Sequence, residues 1–278
     1  MRTDISSQLL ACTQQLRLYS KHINDLPRQD ALHHIIVTFF ILLASQSSLA
    51  NDTNQAPKPA PSFIPYKASY EATWKAGWFP ITVDASRELS KLENGLWQLT
   101  FEAYSSVADL HEETQYSIES NTVKPQEYRY KTSGFLSKKR RSQTFDWEKQ
   151  QVWIPNRDAW ANYELTLGIQ DNLSYQEQIR LDLMAGKTEF SYSVAYKNRL
   201  KNYKFKVAKY GKTKTKQGLI NTVEVIQEKD NSKESTRIWF AVDYNYLLIK
   251  LKTKQKNGDS NTISLKKATL EDNVLLGF

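Results

Sequence analysis

Apolar side chains recur at every second residue through most of this chain, a pattern that confines it to strands with one buried face. Ile64, Tyr66, Ala68, Tyr70, Ala72 and Trp74 fall on even numbers, and Phe79, Ile81, Val83 and Ala85 on odd ones. A turn centred on Ala76-Gly77 pairs Trp74 with Phe79, Ala72 with Ile81 and Tyr70 with Val83, which places both sets on one face. Pro80 has no ladder donor, so an edge or a bulge is expected there. Trp97, Leu99, Phe101 and Ala103 are odd again, so the connection through Glu93-Asn94-Gly95 needs an odd loop with Gly95 in the left-handed region. Near the end of the chain Asn257-Gly258 resembles a two-residue turn, but that register sets Leu251 against Ser264. A three-residue loop, Lys256-Asn257-Gly258, pairs Leu251 with Ile263 and Ile249 with Leu265 instead.

Further strands read as 115–119, 128–130, 141–147, 151–154, 189–196, 203–207, 222–227 and 236–242. The expected fold is all-β and mainly antiparallel, a single curved sheet forming a barrel or half-barrel. One segment departs from the alternation, QDNLSYQEQIRLDLMAGK. There Ser174 and Glu177 form a capping box, Tyr175, Ile179 and Leu183 recur at helical spacing, and Gly186 is placed to end the helix. One helix near 174–185 is therefore expected to cover an opening or a face of the sheet, closing the core or serving as a movable lid.

The one long apolar stretch, ALHHIIVTFFILLASQSSLA at 31–50, has an apolar core of about ten residues, too short to span a bilayer. Ser48-Leu49-Ala50 followed by a polar run reads as a signal-peptide cleavage site, so residues 1–50 are expected to be a signal peptide for export to the periplasm, its start assigned too far upstream and translation beginning near residue 30. The alternative is a cytosolic amphipathic helix followed by a signal anchor. Cleavage after Ala50 removes Cys12, the one cysteine, and leaves 34 basic against 27 acidic residues once the four basic and three acidic residues of the first fifty are subtracted. The mature chain would then have no disulfide, no thiol nucleophile and no lipidated cysteine. Its net +7 favours anionic partners such as lipid headgroups or cell wall. Residues 51–63 form a Pro-rich leader, 64–270 one β domain and 271–278 a tail.

Phe145-Asp146-Trp147 with Val152, then Gln170-Asp171-Asn172-Leu173-Ser174, then Ile238-Trp239-Phe240-Ala241-Val242-Asp243 leading into Tyr246-Leu247-Leu248-Ile249, resemble the ordered landmarks of the bacterial family catalogued as domain of unknown function 3108. The resemblance spans roughly 64–268. It implies an exported Gram-negative envelope protein with an antiparallel barrel or half-barrel, similar in outline to the periplasmic lipoprotein carriers; the family supplies no accepted activity. Asn172 stands where the family pattern has a basic residue, and Leu247-Leu248-Ile249 where it has Leu-Pro-Val.

Catalytic chemistry finds little support. His111 is the one histidine left after cleavage at Ala50, so a multi-histidine metal site is excluded, and no Gly-x-Ser-x-Gly elbow marks a serine nucleophile. Asp146, Asp171 and Asp243 are candidates for a glycan-hydrolysing carboxylate pair, although helix-start and turn roles also account for Asp171 and Asp243. No Gly-rich phosphate loop is present, and no catalytic residue, metal or cofactor is assigned. In YKNRLKNYKFKVAKYGKTKTK, residues 196–216, Lys and Arg alternate with Tyr203, Phe205 and Val207. This is either a lysine-solvated strand face or a landing site for anionic headgroups; export argues against nucleic acid. The expectation is a non-catalytic periplasmic protein that binds or carries an apolar or amphipathic envelope ligand, such as a lipid. Tyr66, Tyr70, Trp74, Phe79, Trp97 and Phe101 would form its concave face and Lys201, Lys204 and Lys206 its basic rim. Its partners would be an anionic lipid or envelope glycan. An interaction protein with a filled interior, joined to an envelope protein, is the competing reading, and carboxylate-dependent hydrolysis of envelope glycan the third.

Overall fold

The computed structural model describes residues 62–278, apart from 77–78, 106–107, 135–138 and 230–232. Residues 1–61, which include the apolar stretch and all but the last two residues of the leader, lie outside the described residues. Eight strands come first: β1 (Tyr66–Ala76), β2 (Phe79–Lys91), β3 (Trp97–Tyr104), β4 (Ala108–Glu119), β5 (Thr122–Gly134), β6 (Lys139–Asp146), β7 (Gln151–Ile154) and the two-residue β8 (Ala159–Trp160). Helix α1 (Ser174–Met184) follows, and then β9 (Glu189–Tyr196), β10 (Arg199–Thr215), β11 (Gly218–Glu228), β12 (Ser235–Ala241), β13 (Leu247–Lys254), β14 (Ser260–Leu270) and β15 (Asn273–Leu276). Within each group every strand pairs antiparallel with its predecessor, and β14 also pairs with β1. The sheet therefore runs from β8 back to β1, crosses to β14 and descends to β9, so the beginning and the end of the domain meet at its centre. In the tail expected after residue 270, β15 pairs with Lys267–Leu270 of β14, beyond the end of the β13 pairing.

The parity argument holds where it can be checked. Leu251 pairs with Ile263, and Gln255 N donates to Asp259 O at 2.8 Å, closing the loop at 256–258. Leu92 N donates to Leu96 O around Glu93-Asn94-Gly95, with Gly95 at φ +82°. The first hairpin keeps its parity but not its register. Ala76 pairs with Phe79, Trp74 with Ile81 and Ala72 with Val83, a register shifted from the expected one. The first strand runs one residue further than expected and the second begins one residue later, and since the pairing slips by two residues the inward face is unchanged.

The sheet wraps around α1. From this one helix Gln178 Oε1 accepts from Val123 N of β5, Glu177 meets Arg87 of β2, Arg180 donates to Asn245 before β13, Asp182 accepts from Tyr192 of β9, and the Tyr175 ring stacks on Phe205 of β10. Strands as far apart in sheet order as β5 and β9 can share one helix only if the sheet curls round it. The segment before the helix stitches the sheet ends together: Ala161 N donates to Val152 O, Leu165 N to Gln150 O, and Gln170 bridges Ser193 and Ala195 on β9. Nine of the eleven helical residues are buried, on every side of the helix. It fills the concave interior far more completely than a lid over an opening.

The expected capping box is not formed. Asp171 Oδ1 accepts from the amides of Leu173 and Ser174, both at 2.8 Å, and Ser174 Oγ donates to Gln170 Oε1. Glu177 turns away to two arginines, because a buried guanidinium offers a carboxylate a stronger partner than a backbone amide does. At the other end Gly186 has φ +82° and Lys187 N donates to Asp182 O, a glycine stop of the expected kind. Among the described residues no helix is long and apolar enough to cross a membrane.

Candidate functional site

Residues paired across antiparallel strands share a face, so the register sorts inward side chains into transverse rows. One row reads Arg87, Phe101, Glu112, Tyr130 and Arg141 from β2 to β6; the next reads Leu89, Leu99, Thr114, Tyr128 and Gln143. Half of these residues are polar, at positions that the alternation reserves for the core.

The polar residues gather at one end of the interior. Arg141 lies with Cζ 3.9 Å from the ring centroid of Tyr130 and 5.5 Å from that of Tyr196 on β9. Lys201 Nζ sits 3.8 Å from the same Tyr196 ring. Tyr128 donates to Glu112 at 2.5 Å. Among the described residues Arg141 Nε and Gln143 Nε2 are buried donors without a partner, and Gln143 is only 4% exposed. Burial pushes the Glu112 carboxyl up to about 7, and the charge of Asp171 adds to this, against the opposing effects of the Tyr128 hydrogen bond and of Arg141 and Arg87. Burial also lowers the pKa of Lys201, followed by repulsion from Arg199, Arg141, Lys197 and Lys229. Five cations thus surround a tyrosine-lined mouth beside the Glu112 carboxyl, whose charge burial disfavours. Such a mouth can hold an acceptor-bearing or anionic group and stack an apolar or sugar face against the rings.

Beneath the mouth the interior is held by paired charge. Arg87 donates to Glu177 at 2.9 Å, to Gln176 at 2.6 Å and to Tyr66 Oη at 2.8 Å. Arg180 donates to Glu177 at 2.5 Å and to the carbonyl and side chain of Asn245, with its Cζ 4.8 Å from the ring centroid of Phe63. Asp182 accepts from Lys187, Tyr192 and Gln178. Asp171 accepts from Thr114 at 2.5 Å, and burial lifts its carboxyl to about 6 despite that bond and those from Ser174 and Leu173.

The residues expected to form the ligand face are dispersed. Tyr66 and Tyr70 are core residues, 3% and 1% exposed; Tyr66 accepts from Arg87, and Tyr70 donates to Leu248 O at 2.7 Å. Trp97 packs edge-on against Phe63 with Lys91 over its ring. The side chains of Trp74 and Phe79 lie outside the described residues. Phe101 is in the mouth row beside Glu112, and Lys201 reaches the mouth through Tyr196, so one residue from each expected set belongs to this end. Lys204 is exposed, and Lys206 is exposed and pairs with Glu228. Of the carboxylate candidates, Asp146 is bonded to Lys149, Asp171 caps the helix, and Asp243 accepts from Asn221 at 2.8 Å. His111 Nδ1 lies 2.9 Å from Glu102. Among the described residues no group of three or more His, Cys, Asp or Glu could hold a metal ion. Glu112, Tyr128, Tyr130, Arg141, Gln143 and Tyr196 escaped the sequence reading. The available signal was Arg141 and Gln143 sharing parity with buried Phe145.

A sheet curled round a polar-threaded helix defines a barrel-like antiparallel β protein. The chain belongs to the family described as protein of unknown function (DUF3108), whose model matches residues 69–266. Its fold is similar to that of a β-barrel-like protein of domain of unknown function DUF1849 from Brucella abortus, at 13% identity, covering 77% of this chain and 100% of that one with a TM-score of 0.53. A DUF1329 family protein from Desulfovibrio piger is matched at 8% identity over 74% of this chain and 85% of that one, but its TM-score of 0.26 carries no argument. No curated protein matches the sequence.

Proposed function

We propose that this chain is an exported, non-catalytic protein of the bacterial envelope that binds an amphipathic ligand with an anionic or acceptor-rich head, of lipid type, at the mouth formed by Arg141, Tyr130, Tyr196 and Lys201. The observation that supports this most is that two of the four buried side-chain polar atoms without partners among the described residues, Arg141 Nε and Gln143 Nε2, lie together on one inward face of β6. A buried unmet donor costs about 1–3 kcal/mol, which a ligand oxygen recovers on binding. The rings of Tyr130 and Tyr196 hold the guanidinium in place beforehand, so little ordering is left to the binding step. Export rests on the apolar stretch at 31–50 and its small-residue end.

Native mass spectrometry of residues 51–278 purified gently from a periplasm tests this reading, with lipid extraction to identify any bound mass. A stoichiometric amphiphile that Arg141→Ala releases, while the fold is retained, is the expected result. A bare polypeptide mass that takes up no fluorescent fatty acid or phospholipid refutes it. The filled interior favours a second reading, an envelope interaction protein that acts through its surface. Bare mass combined with a specific co-purifying envelope protein would select that one.

A further inference from the structure

We infer that the β10–β11 hairpin tip is a docking face for an anionic phospholipid bilayer. Eight large apolar side chains are substantially exposed among the described residues, and Tyr210, Leu219, Val274 and Leu276, half of them, belong to β10, β11 and β15. Leu219 is the most exposed of all, at 68%. Lys214 pairs with Leu219, Lys212 with Asn221 and Tyr210 with Val223, so Tyr210, Lys212, Lys214 and Leu219 share one face of the hairpin. β15 is fastened to its turn, since Lys216 N donates to Gly277 O at 2.7 Å and Leu276 N to Gln217 Oε1 at 2.9 Å. Behind Leu219 a crevice of about 410 Å³ is lined by Ile64, Ile220, Tyr244 and Leu270.

Charge decides the occupant. Residues 199–219 contain eight basic residues and no acid. Lys206 and Lys209 pair with Glu228 and Glu224, while Lys212, Lys214 and Lys216 have no ion pair among the described residues. The nearest carboxylate in the crevice, Asp243, is engaged by Asn221. Lysine is a flexible point charge without directional demands, which suits mobile headgroups, and the exposed leucine and tyrosine beside it can enter the acyl boundary. Lys201 and Lys212 are eleven strand residues apart, about 35 Å, so this face is at the far end of β10 from the Arg141 mouth and is independent of it.

Sedimentation of residues 51–278 with phosphatidylcholine vesicles, with and without phosphatidylglycerol, reads the inference directly. Binding is expected only with the anionic lipid and is expected to weaken at high salt. Lys212→Ala with Lys214→Ala should lower the partition coefficient about 25-fold, roughly fivefold per lysine. Leu219→Asp should also lower it, while Arg141→Ala at the far end should leave it unchanged; unaltered circular dichroism and melting exclude misfolding. Equal binding to neutral vesicles, or binding that survives the tip variants, overturns the inference. So does an absence of vesicle binding together with tip-dependent photo-crosslinking at position 219 to an envelope protein, which would assign the face to a protein partner.

Discussion

Replacing Glu177 by alanine tests whether the charged helix is a structural necessity of this fold. Glu177 is fully buried between Arg87, 5% exposed, and Arg180, 1% exposed, and among the described residues it is the one anion bonded to both. Removing one partner of a buried ion pair costs about 3–5 kcal/mol, because the remaining charge is left without compensation. Here two guanidiniums remain. Arg180 keeps the Asn245 carbonyl and Arg87 keeps Gln176 and Tyr66, but none of these is charged. The expected loss is therefore in the upper part of that range, about 4 kcal/mol, equivalent to a fall in Tm of roughly 8–16 °C for a domain of this size. Urea unfolding should show a lower midpoint at unchanged slope. Arg87→Met, Glu177→Leu and Arg180→Met combined should recover most of the loss, since well-packed apolar side chains can replace a buried charge cluster without penalty. A Glu177→Ala loss below about 1 kcal/mol would refute the reasoning, because it would mean that water reaches the arginines and the helix is not sealed inside the sheet.

Two further perturbations follow from the carboxylates. Glu112 has its folded pKa raised to about 7 from an ordinary 4.5, so the folded state binds the extra proton and stability falls as pH rises from about 4.5 to 7. Glu112→Gln, which keeps an acceptor for Tyr128, should remove that slope and stabilise the protein at pH 8 by up to about 3 kcal/mol, as read from chemical-denaturation midpoints across pH. An unchanged slope in the variant would assign the pH dependence elsewhere. Asp171→Ala removes the acceptor of two helix-start amides and orphans the buried Thr114 hydroxyl, so a loss of about 2–3 kcal/mol is expected in the same assay, with faster hydrogen exchange at Leu173 and Ser174.

The strands were legible because a strand with one buried face must alternate. At the loops 93–95 and 256–258 parity alone fixed the connection, since a register error of one residue would turn every side chain over. In the β1–β2 hairpin the same rule failed by two residues, a slip that parity cannot detect. The helix was legible in position but not in depth. Its apolar stripe of Tyr175, Ile179 and Leu183 resembles that of a surface helix, while its burial depends on partners as distant in sequence as Arg87 and Asn245. The family landmark Gln170-Asp171 has a structural explanation that no local pattern carries: Gln170 joins β9 to Val123, and Asp171 ties the helix start to Thr114. The mouth was missed for the opposite reason. Aromatic residues on one strand face suggest a site, yet Tyr66 and Tyr70 fill the core, and the distinguishing feature is polar residues at inward parity.

A barrel-like sheet that spends its interior on a charged helix has given up the usual place for an apolar cargo. Tyr70, Leu99, Tyr116 and Ile179 are each at most 1% exposed, and the space between them is taken by the Arg87–Glu177–Arg180 cluster. To expose that space to a ligand the sheet would have to part from α1, breaking bonds to Arg87, Val123, Asn245 and Tyr192 together. Such an opening approaches global unfolding in cost, because these contacts lie on strands spread across the sheet. Binding that leaves the fold intact is therefore confined to the ends and the outer surface. The end at Arg141 holds two buried donors without partners, Arg141 Nε and Gln143 Nε2, whereas the hairpin end exposes leucine and lysine to the surroundings. The first is built to recognise an acceptor group and the second to rest on a surface, so a variant at either end should leave the other's binding untouched.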